Sequence, residues 1–466
     1  MDIKPESAAI KNKLSDIEKA QKKYFASNAT RPLSSRKEHL KSLLSCIKKN
    51  EKRIIEALHA DLQKPEIEAY LSEVGFMYQD IKHVLKHLSE WVQPEEVQTP
   101  SILIPLSSSS IVKQPYGRAL IIGPWNYPFM LLMSPLVGSI AAGNCTVLKP
   151  SELSENTSAL VEELISGIFD QSFVAVVNGG VEVSTALLDR KFDTIFFTGS
   201  TQVGKIVAQA AAKNLTPVTL ELGGKSPCIV HSDANIKLAT KKIIWGKFFN
   251  AGQSCTAPDY ILVHENVREK LIAEMGNEIE RAYKGSAQGS DFARIINEKH
   301  FDRLTGLMQG LNIVFGGGSD RGDLFIEPTI IDGVLLSDAI MQEEIFGPLL
   351  PVIGYSSIET AKAYIKELEN PLALYLFTAD KNLEKEIINE VSFGGGCINN
   401  TMTHIANHEL PFGGVGSSGI GSYHGKFSFD AFSHSKGIIK SNRTVDLAVQ
   451  YAPYKKKLPL VKMFVR

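Results

Sequence analysis

The feature that most constrains the fold is a long uncharged stretch at residues 119–148. Its length and apolar composition would suffice for a helix that crosses a bilayer. Glycine, proline and asparagine residues interrupt the stretch at Gly123, Pro124, Asn126, Pro128, Pro135, Gly138, Gly143 and Asn144. Because such residues end or redirect helices and strands, they divide the stretch into strand, loop, helix, turn and strand. The pattern therefore predicts a buried βαβ unit rather than a membrane span.

Short apolar runs alternate with helical patterns throughout residues 118–221. The strand candidates are ALIIG, CTVLK, FVAVVNGG, FDTIFFTGS and TPVTLEL. Such alternation predicts a parallel sheet with crossover helices. It continues more loosely after Gly223, which predicts a second α/β unit, and residues 1–95 have helical periodicity. We therefore expect an α/β protein.

The sequence does not determine the roles of two segments outside the α/β units. Residues 97–117 (VQTPSILIPLSSSSIVKQPYG) predict two short β segments around a serine-rich turn. Such a ribbon serves assembly or is a plain surface hairpin, and the segment alone does not distinguish these. The tail, residues 446–466, is basic and partly apolar but too short to span a membrane. It is either solvated or in contact with a membrane surface.

Charge and cysteine content narrow the expected partners and compartment. The 466 residues include 50 basic and 51 acidic ones, and no basic block is interleaved with aromatic residues. We therefore expect no nucleic-acid partner. The five cysteines are odd in number and contain no C-x-x-C pair, and the first residues lack the apolar core of a signal peptide. These features predict reduced thiols and a cytoplasmic location.

Two glycine-rich segments are similar to nucleotide-binding motifs. Residues 199–205 (GSTQVGK) nearly match a P-loop, but Ile206 stands where the Mg²⁺-binding hydroxyl belongs, which disfavours nucleotide hydrolysis. The segment follows an apolar strand and opens a helix, so its backbone N–H groups can hold a phosphate or pyrophosphate. Residues 414–419 (GVGSSG) match G-x-G-x-x-G but lack a following βαβ unit and a suitably placed acidic residue. A glycine-rich loop near an active site is the better interpretation.

His404 and His408 stand four positions apart, a spacing that holds a metal ion when it falls on a helix. The glycine, proline and asparagine residues around them predict a loop instead, and no third ligand is evident. We therefore predict no metal site. Cys145 and Cys228 lie in apolar strand patterns, so we predict that they are core residues.

Three segments stand out together: residues 123–128 (GPWNYP), 220–225 (LELGGK) and 250–256 (NAGQSCT). A cysteine or a glutamate alone has an ordinary structural explanation. In combination and in this order, the segments resemble the aldehyde dehydrogenase family, and residues 344–348 (EIFGP) and 411–416 (PFGGVG) extend the resemblance. It runs from about residue 10 to residue 440. The phrases SYHGKFSF and GKFFNAGQSC are most similar to the class-3 branch, which includes fatty and aromatic aldehyde dehydrogenases.

The resemblance implies a reaction through a covalent thioester. It assigns the nucleophile to Cys255, whose thiol adds to the aldehyde carbonyl. It places the side-chain amide of Asn126 and the backbone N–H of Cys255 at the resulting oxyanion. It makes Glu221 the general base that brings water to the thioester and that can also help deprotonate the thiol. Relatives that pass the acyl group to coenzyme A lack this glutamate, so its presence favours a free acid product.

The resemblance also implies a nicotinamide dinucleotide cofactor. Together with the glycine-rich segment, it assigns cofactor contacts to Trp125, Lys149, Glu152, Gly199, Ser200, Gly204, Glu344 and Phe346. Lys149 and Glu152 would hold the adenosine ribose, and Glu344 and Phe346 the nicotinamide ribose. A glutamate at position 152 would repel a 2′-phosphate, which favours NAD. Class-3 relatives with the same residue also accept NADP, so both cofactors remain open.

The domain organisation that the resemblance implies has four parts. They are a Rossmann-like NAD(P)-binding domain in residues 1–96 and 118–222, a catalytic domain in 223–421, a bridging or oligomerisation element in 97–117 and 422–445, and the tail in 446–466. A homodimer and an aromatic or medium- to long-chain aliphatic aldehyde substrate are also implied.

Two alternative functions remain. One is an acyl-coenzyme A or acyl-phosphate reductase, which would not need Glu221, and the other is a non-catalytic protein, which would not need Cys255. Esterase activity through Cys255 could accompany the main reaction.

Overall fold

The computed structural model describes residues 8–100, 104, 107–283, 289 and 291–465. Its first part is helical, as the sequence periodicity predicts. The helices there are α1 (Ala8–Ala26), α2 (Leu33–Lys49), α3 (Glu51–Leu62), α4 (Glu66–Ala69) and α5 (Gly75–Trp91), with a π-helical turn at Tyr70–Val74. The apolar faces of α2 to α5 share one core with most of the uncharged stretch at residues 119–148, whereas Leu14 and Ile17 of α1 belong to a second core.

The remaining elements alternate between strands and helices. The helices are α6 (Met130–Ala142), α7 (Glu155–Ser166), α8 (Val181–Leu188), α9 (Thr201–Ala212), α10 (Ile236–Phe248), α11 (Glu265–Tyr283), α12 (Glu298–Leu307), α13 (Ala339–Gln342), α14 (Ile358–Glu367), α15 (Lys381–Glu390), α16 (Gly425–Ala431) and α17 (Leu458–Val465). Short 3₁₀ turns lie at Phe249–Gly252, Thr403–Ala406 and Ala448–Gln450.

The strands supply three main sheets and one small ribbon. They are β1 (Glu95–Val97), β2 (Ser108–Pro115), β3 (Arg118–Ile122), β4 (Cys145–Lys149), β5 (Val174–Val176), β6 (Thr194–Thr198), β7 (Val218–Glu221), β8 (Pro227–Val230), β9 (Tyr260–His264), β10 (Asn312–Phe315), β11 (Ser319–Asp320), β12 (Phe325–Ile326), β13 (Thr329–Asp332), β14 (Leu349–Tyr355), β15 (Ala373–Phe377), β16 (Gly395–Ile398), β17 (Gly419–Ile420) and β18 (Ser433–Lys440). The ribbon pairs β11 with β12.

A six-stranded sheet has the order β17-β7-β6-β3-β4-β5. Strands β3 to β7 run parallel, and β17 pairs antiparallel with β7. Residues 119–148 fold as most of β3, then α6, then β4, so the predicted βαβ unit is confirmed. Gly143 ends α6 with φ of 95°, a left-handed conformation that glycine adopts without strain. No helix in the described part of the chain has the length and apolarity that a membrane crossing requires.

A seven-stranded sheet has the order β10-β13-β14-β9-β8-β15-β16 and its own hydrophobic core. All neighbouring pairs are parallel except β10 with β13. This confirms the predicted second α/β unit. Cys145 in β4 and Cys228 in β8 are fully buried, so both are core residues as predicted.

A three-stranded antiparallel sheet of order β1-β2-β18 joins the segment after α5 to a strand near the end of the chain. The prediction of a serine-rich turn here is wrong, because Ser108, Ser109 and Ser110 lie within β2 and pair with β18. This pairing satisfies the backbone of residues whose local preference is for turns, so tertiary contacts decide the conformation. Residues 101–103, 105 and 106 of the predicted ribbon lie outside the described residues.

The division into domains remains a prediction. Strands of the six-stranded sheet come from residues 118–221 and from Gly419–Ile420, which is the end of the expected catalytic range. Those of the seven-stranded sheet come from residues 227–398.

Candidate active site

A cavity of about 700 Å³ opens where β6 and β7 end. Open parallel sheets bind ligands at the carboxyl ends of their strands. Most of the residues that the sequence predicts for catalysis and cofactor binding line this cavity: Trp125, Asn126, Gly199, Ser200, Glu221, Cys255, Glu344 and Phe346. The fold therefore brings together the three segments that the sequence analysis singled out. Lys149, Glu152 and Gly204 are not among the described residues that line it.

Cys255 lies in the connection between α10 and β9, just after a sharp reversal of the backbone. Asn250, Ala251 and Gly252 all have positive φ, at 53°, 52° and 73°. Gly252 is required there, because a Cβ at this position would lie 2.3 Å from the carbonyl oxygen of Gly347. The reversal leaves the side chain of Cys255 partly exposed at the cavity wall.

Asn126 is held against the loop that carries the thiol. Its side-chain Nδ2 donates a 3.1 Å hydrogen bond to the carbonyl oxygen of Gln253, two residues before Cys255. Its backbone carbonyl oxygen accepts hydrogen bonds from Asn250 Nδ2 and from Lys64 Nζ, each at 3.0 Å. An amide nitrogen carries two N–H groups, so the Asn126 side chain has a second donor for a ligand in the cavity.

Buried charged residues from the N-terminal part of the chain contact the segments that carry Asn126 and Cys255. The side chains of Lys64 and Glu73 form an ion pair, and both are fully buried. Glu68, whose exposed fraction is 9%, accepts a 2.8 Å hydrogen bond from the backbone N–H of Asn250. Burial raises the pKa of Glu68 to about 7 against that hydrogen bond and the charge of Lys64. These contacts join the helices to the loops of both Asn126 and Cys255.

Sequence reasoning missed these supporting residues. Lys64, Glu68 and Glu73 belong to a segment with the polar content of an exposed helix face, so no local pattern marks them as buried. Asn250 and Gln253 could have been found from the sequence, because both lie within the five positions before Cys255, in residues 250–256.

The surroundings of Cys255 favour its protonated thiol over the thiolate. Burial raises its pKa above the ordinary value, and the charges of Glu344 and Glu221 raise it further. Hydrogen bonds from the backbone N–H groups of Cys255 and Thr256 lower it again, but by less. The thiolate therefore needs a proton acceptor close by, which either carboxylate can supply.

Glu221 is the last residue of β7, and it is 3% exposed. Neither of its carboxylate oxygens has a hydrogen-bond partner among the described residues. Burial raises its pKa well above the ordinary value, because a buried carboxylate loses its hydration. A carboxylate without partners beside a reactive cavity has the properties of a general base.

Glu344 also lines the cavity, and its carboxylate lies against Gly223, which has no side chain to block it. A Cβ at Gly223 would overlap the Glu344 carboxylate. Burial raises the pKa of Glu344 to about 8, and the negative charge of Asp259 adds to this effect. The N–H of Gly224 and the positive charges of Lys225 and Lys247 oppose it.

The first turn of α9 fits a phosphate group. Ser200 caps the helix by accepting a 3.4 Å hydrogen bond from the backbone N–H of Val203, and Ser200, Thr201 and Lys205 line the cavity. Free backbone N–H groups and the helix dipole favour an anion at this end. A Cβ at Gly199 would lie 2.5 Å from the ring of Phe197.

The other predicted cofactor residues lie near the end of β4, within α9 and on the cavity wall. Lys149 Nζ forms a 2.6 Å ion pair with Glu152 just after β4. Gly204 lies in α9, where a Cβ would meet the side chain of Leu222 at 2.5 Å, so glycine allows the helix to pack on the sheet. The rings of Trp125 and Phe346 form an edge-to-face pair on the cavity wall, with centroids 5.3 Å apart.

The glycine-rich segment at residues 414–419 contacts the first turn of α9. Thr201 Oγ1 donates a 3.1 Å hydrogen bond to the carbonyl oxygen of Ser417, and Ser417 lines the cavity. A Cβ at Gly414 would lie 2.1 Å from the carbonyl oxygen of Ser418, so the turn requires glycine. The prediction of a glycine-rich loop near the active site is confirmed.

The structure places His404 and His408 against different partners. His404 Nδ1 lies 3.6 Å from Cys397 Sγ. His408 Nδ1 lies 3.8 Å from a carboxylate oxygen of Asp80. The four-residue spacing in the sequence therefore does not direct the two imidazoles toward one point.

A parallel α/β fold that places a helix N-terminus suited to a phosphate beside a partly exposed thiol and two carboxylates has the architecture of a dinucleotide-dependent oxidoreductase. The profile of the aldehyde dehydrogenase family matches residues 7–438. The chain is 50% identical over 448 residues to the 4,4'-diaponeurosporen-aldehyde dehydrogenase of Staphylococcus aureus, across 96% of this chain and 97% of that protein. It is 44% identical over 430 residues to the dimeric NADP-preferring aldehyde dehydrogenase of Canis lupus familiaris, across 92% and 94%.

A solved structure agrees with these relatives. The structure described as the substrate-bound state of Staphylococcus aureus AldH matches with a TM-score of 0.95 and 48% identity, across 97% of this chain and 99% of that chain. The chain belongs to the aldehyde dehydrogenase family and is an NAD(P)-dependent oxidoreductase that acts on aldehydes. The fold class, the family and the enzyme class predicted from the sequence are confirmed.

Proposed function

We propose that the protein oxidises an aromatic or a medium- to long-chain aliphatic aldehyde to the free carboxylic acid through a thioester on Cys255. The observation that carries the proposal is the joint presence of Cys255, Glu221 and Asn126 on one cavity wall. A nucleophile, a base without hydrogen-bond partners and an amide donor are the groups that this chemistry needs.

The first step forms a covalent bond between enzyme and substrate. Glu221, as its carboxylate, takes the proton of the Cys255 thiol, and the thiolate adds to the carbonyl carbon. Negative charge then develops on the carbonyl oxygen. The side-chain N–H of Asn126 and the backbone N–H of Cys255 would stabilise it, and the Asn126 side chain is already held in place by its hydrogen bond to Gln253.

Oxidation of this adduct needs a hydride acceptor, which a bound nicotinamide dinucleotide supplies. The first turn of α9, with Ser200 as its cap, would hold the pyrophosphate. Trp125 would also contact the pyrophosphate, Phe346 would pack beside the nicotinamide ribose, and Glu344 would bind that ribose. Lys149 and Glu152 would bind the adenosine ribose.

Hydrolysis of the thioester returns the enzyme to its resting state. Glu221 first releases to solvent the proton that it took from the thiol, and it then takes a proton from water. The hydroxide adds to the acyl carbon, the carbon–sulfur bond breaks to release the acid, and the Cys255 thiolate takes up a proton. Burial raises the pKa of Glu221, which makes its carboxylate a stronger base than that of an exposed glutamate. The presence of Glu221 favours this outcome over transfer to coenzyme A.

Three further properties belong to the proposal. Glu152 favours NAD by charge, whereas the relative from Canis lupus familiaris is named NADP-preferring, so NAD or NADP is the cofactor. The same relative is named dimeric, which supports a homodimer. All five cysteines are free, which suits a cytoplasmic location.

The test is an activity assay with purified protein. NAD or NADP and a panel of aromatic and aliphatic aldehydes would be supplied, and the reduced cofactor followed by its absorbance. Wild type should reduce the cofactor with aromatic or longer aliphatic aldehydes, and Cys255→Ala should be inactive. Reduction at equal rates by both proteins would exclude the thioester route. A preference for acetaldehyde over every longer or aromatic aldehyde would exclude the proposed substrate class.

A further inference from the structure

A histidine pair lies on α5, outside the residues that line the active-site cavity. His83 and His87 stand four residues apart on this helix, so their side chains share one face. Glu409 belongs to the segment that follows the 3₁₀ turn at Thr403–Ala406, and its carboxylate reaches the same place. The three residues join a helix near the start of the chain to a loop more than three hundred residues later.

The ligand atoms of these side chains lie close enough to share one ion. One nitrogen of each imidazole and one carboxylate oxygen all lie within 4.8 Å of one another. His83 Nε2 lies 3.7 Å from Glu409 Oε1. A tetrahedral zinc ion with bonds of about 2.0–2.1 Å separates its ligand atoms by roughly 3.4 Å. Small side-chain rotations therefore suffice to bring the three atoms onto one metal.

We propose that His83, His87 and Glu409 form a binding site for a divalent transition-metal ion of the zinc class. Two imidazoles and one carboxylate are ligands that zinc, nickel, cobalt and copper prefer, whereas magnesium and calcium prefer oxygen alone. A histidine pair at this spacing on a helix is itself a strong chelating arrangement. Water would complete the coordination, since Glu409 is exposed.

Neighbouring side chains hold the two imidazoles in place. The ring of His87 stacks on Trp91, with centroids 6.0 Å apart and planes at 15°. The ring of His83 lies 5.4 Å from that of His408 and 5.7 Å from that of Trp91. Rings that are already packed lose little freedom when they bind a metal, which favours binding.

The ion would act as a clamp between α5 and the loop that carries Glu409. That loop leads directly to Phe412, whose backbone pairs with Tyr423, and then to the glycine-rich segment at residues 414–419. A metal that binds only the folded chain stabilises it by mass action. We therefore expect binding to raise the melting temperature of the protein.

Calorimetric titration with zinc chloride tests the site. The Cys255→Ala variant of the full chain serves as the parent, because it removes the reactive thiol as a competing ligand. The parent should bind one zinc ion per chain at this site and melt at a higher temperature with zinc. Adding His87→Ala should weaken the binding by about tenfold or more, since even the loss of an indirect partner of a metal costs about 10- to 100-fold.

Matched controls separate a specific site from general binding. His434 is exposed and lies on β18, so adding His434→Ala should leave zinc affinity and the melting shift unchanged. Glu409→Gln, at an exposed position, provides a second variant that should also weaken binding and that cannot disturb the core. Equal zinc affinity in the parent, the His87 variant and the Glu409 variant would overturn the proposal.

Cobalt provides an independent readout of the ligand atoms. Cobalt bound to the parent should give visible absorption of a nitrogen and oxygen site that disappears with His87→Ala. An intense sulfur-to-metal charge-transfer band would place the ion on a cysteine instead, and it would overturn the assignment.

Discussion

The ammonium group of Lys64 lies 3.0 Å from the backbone carbonyl oxygen of Asn126 and donates a hydrogen bond to it. The same group pairs with Glu73, which accepts hydrogen bonds from the backbone N–H groups of Phe129 and Met130, at 2.9 and 3.1 Å. One buried ion pair thus fixes the loop that carries the proposed oxyanion donor. Lys64, in the connection between α3 and α4, and Glu73, in the π-helical turn, therefore act on the candidate active site through the backbone.

Replacement of Lys64 by methionine should destabilise the protein and slow the reaction. It would leave Glu73 as a buried charge without its counter-ion, which costs about 3–5 kcal/mol. The measurements are urea unfolding and kcat. Lys52 is 91% exposed and pairs with Glu56 at the surface, so Lys52→Met should leave both quantities nearly unchanged. Similar unfolding curves for the two variants would show that the buried pair does not support the loop.

Replacement of Asn126 by alanine should lower kcat by about 10²- to 10³-fold, because the transition state loses one fixed hydrogen-bond donor. Steady-state kinetics with a good aldehyde substrate measure the effect. Asn156 hydrogen-bonds to Asp61 at the surface, so Asn156→Ala should retain wild-type kcat. A loss smaller than about tenfold in the Asn126 variant would remove that side chain from the oxyanion site.

The sequence indicated the proposed catalytic residues, but it did not indicate the buried charged residues that contact their loops. Cys255, Glu221 and Asn126 were proposed from the resemblance of three short segments to one family, and the structure places all three residues at one cavity. The burial of Lys64 and Glu73 depends on helices that meet only in the folded chain, and a charged residue in a helix is usually exposed.

Pairing across the fold also overrides local preference. The serines of β2 have turn-like composition, and only the partner strand β18 makes them extended. Such information is not contained in any single segment.

Glu344 should make the stability of the protein depend on pH. Its folded pKa is raised by burial to about 8, above the unfolded value of about 4.3. The folded state then holds the proton more tightly, so stability is full below about pH 4.3 and is lost as pH rises toward 8. Glu344→Gln should therefore become more stable than wild type as pH rises through this window. Urea unfolding at several pH values measures the difference, and a difference that does not vary with pH would contradict the raised pKa.

Glu152 should weaken the use of NADP through its negative charge. Glu152→Gln should raise the ratio of kcat/KM for NADP over NAD by about five- to tenfold, the size of one charge contact near the surface. Glu155 is exposed in the first turn of α7, so Glu155→Gln should leave the ratio unchanged. An unchanged ratio in the Glu152 variant would show that this carboxylate lies away from the 2′ position of the ribose.

The central claim is that Cys255 forms a thioester that Glu221 hydrolyses, and rapid-mixing kinetics of Glu221→Gln test it most directly. The variant should produce a burst of about one reduced cofactor per chain and then turn over slowly, because Glu344 can still accept the thiol proton for acylation whereas water attack lacks its base. Pre-incubation at high pH would assist acylation by ionising the thiol. Glu359→Gln, at an exposed position on α14, should behave as wild type. Steady-state turnover of Glu221→Gln equal to that of wild type would contradict the account.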